Sequence, residues 1–194
     1  MNINDPDPQL QMIWPQRLLS KPPEILVADG YYLRTYCPGD EPGWYKLMDL
    51  AGWPGWDAKM LEPWKARVLP QSWLMIISRE NRNIVSSAMG LHEHTDLHAF
   101  GGQLGWVARD PAHSGLKLGI TVCAAVTARL IGMGYEDIHL GTEDFRLPAL
   151  KTYLRLGFVP FIYSPGMSAR WERICSRLGW PITRGDWVFV NQGS

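Results

Sequence analysis

Two stretches of this chain could do chemistry together. In the first, an apolar run around Leu104 to Val107 passes through Pro111-Ala112-His113-Ser114-Gly115-Leu116-Lys117-Leu118-Gly119 and straight into a long apolar segment. A strand that enters a helix through a glycine-containing turn leaves backbone N–H groups free at the positive end of the helix dipole, where a phosphate can sit. In the second, Glu143 and Asp144 follow the alternating run Ile138 to Thr142. Either carboxylate could take a proton from an ammonium through water, at the strand end where such sheets hold ligands. The structural alternative is that Asp144 caps the next helix and Glu143 is solvated. His92, Glu93, His94 and His98 form a third polar group. Alternate histidines at a strand end are more often surface side chains than metal ligands, so they read as substrate contacts and no metal is expected. Cys123 falls among apolar helix residues and reads as a core thiol. No Walker loop, G-x-G-x-x-G or G-x-S-x-G arrangement is present.

The elements that must position these groups follow from periodicity and breakers. Leu118, Val122, Ala125, Val126, Leu130 and Met133 recur at helical spacing up to Gly134. Pro148 suits the first turn of another helix and Gly157 its C-terminal cap. Upstream, the sequence predicts a strand at Tyr31–Tyr36, a helix at Trp44–Leu50 and a second helix from an Asp57 cap to about Val68. Strands are expected at Ser72–Ser78, Ile84–His92 and His98–Val107. Phe158–Tyr163 is a further strand, Ala169–Leu178 a late helix and Trp187–Val190 a last strand. The expected organisation is an N-terminal extended arm over 1–30, packed on the surface, a main domain over 31–163, and a helix and strand over 164–194 packed on it. A strand-helix-strand crossover after an antiparallel meander makes this an α/β (α+β) chain, with a mixed, mostly antiparallel sheet flanked by helices.

Composition narrows the class. The 194 residues fit one domain, and 19 Lys+Arg against 19 Asp+Glu leave no net charge to favour nucleic acid or an anionic membrane. Three widely spaced cysteines without a C-x-x-C pair fit reduced thiols in a cytoplasmic protein. Met1–Pro8 does not read as a signal peptide, and no apolar run reaches the roughly 20 residues that span a bilayer. Ten tryptophans among 15 prolines and 19 glycines suggest shaped loops around a pocket, or an irregular core filled by indoles.

With these motifs in place, the chain resembles the GNAT superfamily of N-acetyltransferases. That family shows V-x-P-x-x-R/Q-G-x-G-x-G opening a helix, and later N-x-x-A-x-x-x-Y-x-x-x-G-F. Here the first half reads Pro111 to Gly119 and the second Arg146-Leu147-Pro148-Ala149 through Tyr153 to Gly157-Phe158. Ser114 replaces the usual Arg or Gln, Lys117 the middle glycine and Arg146 the Asn. The wording of Asp110–His113 and Phe145–Ala149 is similar to bacterial members related to mycothiol synthase. The resemblance implies acetyl-CoA as cosubstrate. Its pyrophosphate would lie on Ser114, Gly115, Leu116, Lys117, Leu118 and Gly119, and its pantetheine arm on the backbone of Trp106, Val107 and Ala108, with Arg146 nearby. It implies Tyr153 as proton donor to the leaving thiolate and suits Glu143 as base, although Tyr153 can also be read as a helix tyrosine packed on Ala149. The implied activity is acetyl transfer to a primary amine of a small molecule or peptide. The alternative is a non-catalytic acyl-CoA-binding module whose phosphate loop is degraded at Ser114 and Lys117. Trp44, Trp53 and Trp56 would wall the acceptor, and an added strand or swapped tail after Tyr163 would serve a homodimer.

Overall fold

A computed structural model describes residues 8–190, so the expectations for 1–7 and 191–194 lie outside the described residues. In chain order the elements are β1 (Leu10–Ile13), β2 (Tyr31–Thr35), α1 (Glu41–Leu50), α2 (Ala58–Lys65), β3 (Val68–Ser78), β4 (Ile84–Glu93), β5 (Gly101–Arg109), α3 (Leu118–Gly132), β6 (Asp137–Thr142), α4 (Leu147–Leu156), β7 (Val159–Ile162), α5 (Met167–Leu178) and β8 (Val188–Phe189), joined by three short 3-10 turns. The strands form one eight-stranded sheet in the order β2-β3-β4-β5-β6-β1-β7-β8. Its pairs are antiparallel except β5 with β6 and β7 with β8. The mixed sheet with helices on its faces is the architecture expected from the sequence.

Strand alternation sorts the apolar residues into two cores. Leu74, Ile76, Val85, Ala88 and Leu104 face α3, α4 and α5, while Trp73, Met75, Ile77, Met89 and Leu91 face α1 and α2. Asp57 caps α2 by accepting from the Met60 N–H at 2.8 Å. That helix stops at Lys65 rather than at Val68, because β3 begins at Val68 and continues through a bulge ahead of Trp73. No described helix is long and apolar enough to cross a membrane.

The expected surface arm is corrected by the structure. Leu10–Ile13 is a strand between β6 and β7, antiparallel to both, with Met12 opposite Leu140 on one side and Pro160 on the other. Leu10, Met12 and Trp14 are fully or nearly fully buried in the α3 core, while Gln9 and Gln11 point to the opposite face. This period-2 pattern was present in Gln9-Leu10-Gln11-Met12-Ile13-Trp14, but the flanking prolines hid it.

Two irregularities open the sheet in its middle. β5 and β6 are parallel neighbours for only three residue pairs, Gly101–Gln103 with Asp137–His139. They can close there because a Cβ at Gly101 would come within 2.5 Å of the His139 ring and one at Gly102 within 2.9 Å of Tyr135. Farther along, Ser87 pairs Ala108 but Met89 pairs Gly105, so Trp106 and Val107 together oppose one residue of β4. This is a β-bulge, with Trp106 at φ 47°. Beyond the bulge β5 and β6 share no pairing, and a wedge opens between them.

If β1 is structural, Met12→Ala should lower unfolding stability by about 2–5 kcal/mol in urea titrations, the range for truncating a buried methionine. A surface arm would give less than about 0.5 kcal/mol.

Candidate active site

The wedge between β5 and β6 is a cleft of about 380 Å³. Its sides are the bulged strand at Gly105–Val107, the end of β6 at Gly141–Glu143, and Arg146 and Tyr153 of the α4 region. Trp53 and Trp64 cover it from the α1–α2 side. Trp106 anchors that cover: its ring meets Trp53, Trp56 and Trp64 edge-on, with centroids 5.5, 4.6 and 4.8 Å away. The aromatic wall expected from the sequence is therefore divided. Trp53 and Trp64 line the cleft, while Trp44 is fully buried beneath them and packs edge-on against Trp56.

Tyr153 projects from α4 into this cleft. Burial, above all, pushes its phenol well above the usual tyrosine value, so it stays protonated and keeps a proton to donate. No described residue hydrogen-bonds its hydroxyl. Glu143 also lines the cleft, but it is tied: Arg146 Nε donates to it at 2.5 Å and Gln9 Nε2 at 3.1 Å. The Arg146 guanidinium in turn lies 3.8 Å from the centroid of the Trp53 ring. Asp144 is not a cap; it holds Arg170 of α5 through two bonds of 2.5 and 3.2 Å.

The loop before α3 lies apart from these side chains. Gly115 has φ 83° with open space where a Cβ would be, and Lys117 takes the left-handed conformation at φ 58° as the N-cap residue of α3. No side chain caps that helix and no acid occupies its first turn. The N–H groups of the first turn are thus unspent at the positive end of a 15-residue helix. Ser114 works inside the loop, accepting from Arg109 at 2.9 Å and donating to the Pro111 carbonyl. Arg109 is a cation that sequence reasoning passed over. Tyr31 braces the loop from β2 through His113 Nδ1 at 2.7 Å. Leu116 is exposed, whereas Leu118 is core and Ala108 is buried behind the strand. Of the residues expected to form the site, the structure brings Trp106, Val107, Glu143, Arg146 and Tyr153 to one cleft. It leaves Ser114–Gly119 outside that cleft, in the loop and first helical turn beyond the end of β5.

A second cleft of about 310 Å³ adjoins the first and shares Gln9, Trp64, Gln103 and Gly141 with it. Glu93 and His139 line it, 2.7 Å apart. Among the expected histidine contacts, His94 is exposed and His92 bonds Tyr135, while His98 is buried, which a surface reading does not allow. His98 stacks on His139 with ring centroids 3.5 Å apart and an 8° tilt, and both rings approach Asp137. Parallel rings one stacking distance apart do not share a plane, so a single ion cannot lie in the plane of both lone pairs, as metal–imidazole bonding requires. The cluster is instead an ion-pair network. Burial alone would lower the His139 pKa, but Asp137 and Glu93 outweigh it and raise the value. Burial would raise the Asp137 pKa, but hydrogen bonds from the two histidines bring it down to about 2. Cys123, fully buried, is pushed up to about 12 by burial alone and is an inert core thiol, as read from the sequence.

The comparisons with known proteins bear on the sequence and the fold. No family model matches the sequence. Over 151 residues the chain is 30% identical to a mycothiol acetyltransferase of Thermomonospora curvata, covering 72% of this chain and 48% of that protein. It is 29% identical over 159 residues to a mycothiol acetyltransferase of Nocardia farcinica, covering 75% and 51%. The chain thus spans about half the length of the curated relatives it matches. Among solved structures, a GCN5-related N-acetyltransferase from Sphaerobacter thermophilus superposes with a TM-score of 0.61 at 22% identity, over 78% of this chain and 47% of that one. The resemblance carried by the two motifs holds both in sequence and in fold.

The network sets a pH window. The raised His139 pKa stabilises the fold fully below its ordinary 6.5, and that contribution is lost as pH rises through the raised value. Asp137 stabilises it above its ordinary 3.8, and that contribution is lost as pH falls toward 2. Urea unfolding should show greatest stability between roughly pH 4 and 6.5, and His139→Gln should flatten the high-pH limb. A limb of unchanged slope would assign the decline to other groups.

Proposed function

We propose that this chain, whose fold is that of the GCN5-related N-acetyltransferases, transfers an acetyl group from acetyl-CoA to a primary amine by direct attack. The observation that carries the reading is the unpaired wedge between β5 and β6, with a protonated tyrosine on one wall and an uncapped helix N-terminus beyond its end. The residues fit the cosubstrate. Gly115 leaves room for a pyrophosphate against the backbone, and Lys117 and Arg109 offer cations to it. The backbone of Trp106–Ala108, freed from β6, offers groups to a pantetheine arm laid along it as an added strand. Arg146 takes the position of the family's asparagine at the cleft wall.

In the reaction the amine nitrogen bonds the acetyl carbon, the carbon–sulfur bond breaks, and the departing thiolate takes its proton from the Tyr153 phenol. The ammonium gives one proton through water to Glu143, whose charge Arg146 and Gln9 hold at the cleft wall, and the second proton, lost from nitrogen as the amide forms, returns through water to the Tyr153 phenolate. The two curated relatives are named for mycothiol. At half their length, this chain is assigned only the acceptor class, a primary amine. Their naming as acetyltransferases favours turnover over a module that only binds acyl-CoA.

Calorimetric titration with acetyl-CoA should give saturable binding that Gly115→Trp abolishes, and absence of binding would refute the reading. Tyr153→Phe should lower kcat by about 100-fold or more with an unchanged acetyl-CoA dissociation constant. Full retention of rate would remove Tyr153 from the reaction.

A further inference from the structure

Gln9 stands where the two clefts meet and lines both of them. Its backbone is held from three sides: β1 follows it directly, the Tyr163 hydroxyl donates to its carbonyl, and Arg170, itself fixed by Asp144, donates to the Pro8 carbonyl at 2.7 Å. Its side chain is held as well. A carboxylate has only acceptors, so the contact of 3.1 Å to Glu143 Oε1 must be made by the NH₂ of the amide. That fixes which way the amide faces, and its carbonyl oxygen Oε1 then lies over the backbone of Gly141. A Cβ at Gly141 would come within 2.6 Å of that oxygen, so glycine is what admits it there. No described hydrogen bond reaches Gln9 Oε1, and Gly141 beneath it lines both clefts. The next inward-facing residue of the strand, Gln11, is already engaged with His98 Nε2 at 2.7 Å.

We propose that Gln9 Oε1 accepts an N–H of the acceptor, making Gln9 the residue that selects amine nucleophiles. The inference rests on the acetyl-transfer reading and adds to it the group that touches the nucleophile. An amine that has lost its ammonium proton still carries two N–H donors. It can give one to a neutral carbonyl and keep its lone pair for the acetyl carbon. A thiol has one weak donor, which it loses on becoming nucleophilic. The same amide ties recognition to proton removal, since its NH₂ holds Glu143 while its oxygen holds the nitrogen.

The test uses the full chain with acetyl-CoA and two matched probes, n-butylamine and n-butanethiol. In the unaltered protein the amine should be acetylated faster than the thiol. Gln9→Met keeps the length of the side chain and removes both amide groups. It should lower kcat/KM for the amine roughly 10- to 100-fold and narrow the preference for amine over thiol, with the acetyl-CoA dissociation constant unchanged. If Gln9→Met melts early, Gln9→Asn, which withdraws the amide by one methylene, is expected to give the same shift. Normal acetyl-CoA binding with an unaltered amine-to-thiol ratio in these variants would overturn the inference and leave acetyl transfer standing. So would an unaltered protein that binds acetyl-CoA but serves the amine no faster than the thiol. Loss of acetyl-CoA binding in the unaltered protein would take down both.

Discussion

Three residue pairs between two parallel strands are the constraint on which this molecule is built. β5 and β6 meet so that the two halves of the sheet form one sheet, and they part farther along to leave the cleft between them. Both demands are met by placing glycines where they touch and an extra residue where they separate. At the closed end, Gly101 and Gly102 yield their side-chain volume to His139 and Tyr135. At the open end the bulge turns Trp106 away from the partner strand. Wedge, cover and polar fittings all follow from that change within nine residues of β5.

The bulge is costly for a tryptophan, because a left-handed conformation of a residue with a Cβ costs on the order of 1–2 kcal/mol. Three edge-on contacts with Trp53, Trp56 and Trp64, each worth about 0.5–1.5 kcal/mol beyond simple burial, are enough to outweigh it. The tryptophans crowded on the α1–α2 side are thus the counterweight that keeps one strand distorted. They also set the height of the cleft roof. Opposite them, the chain from Gln9 through Glu143 and Arg146 to Trp53 joins roof, wall and floor by hydrogen bond, ion pair and cation–π contact.

Much of this was legible in the sequence, for identifiable reasons. The apolar run of β5, the β6 alternation and the α4 motif are local signals, and Trp106, Val107, Glu143, Arg146 and Tyr153 come to the cleft from these elements and the turn between the last two. Gly105 beside a bulge was also readable, because a glycine inside a strand pattern has few other uses. What failed was non-local. Leu10–Ile13 is four residues between prolines, too short to announce a strand, and its burial depends on partners far away in the chain. Missing β1 meant missing Gln9 and Gln11. The bond from Gln9 to Glu143 and the bonds that turn Asp144 toward α5 depend on side chains far away in the sequence, although the Arg146 partner of Glu143 is only three residues on. His98 was misplaced because a turn at 94–99, rather than a strand, carries it inward to stack on His139.

The position of β1 has a consequence for how the molecule comes into being. Its partners lie roughly 130 to 150 residues downstream, among the most distant contacts a chain of this size can make, and such contacts carry the largest loop-closure entropy and form late. β1 is synthesised before β6 and β7, yet it must wait for both before it can pair. Until then the two ends of the sheet have no bridge, and Leu10, Met12 and Trp14 are exposed apolar surface. The floor of the cleft therefore completes last, and the nascent chain is most open to mispairing at the residues that later fit out its site.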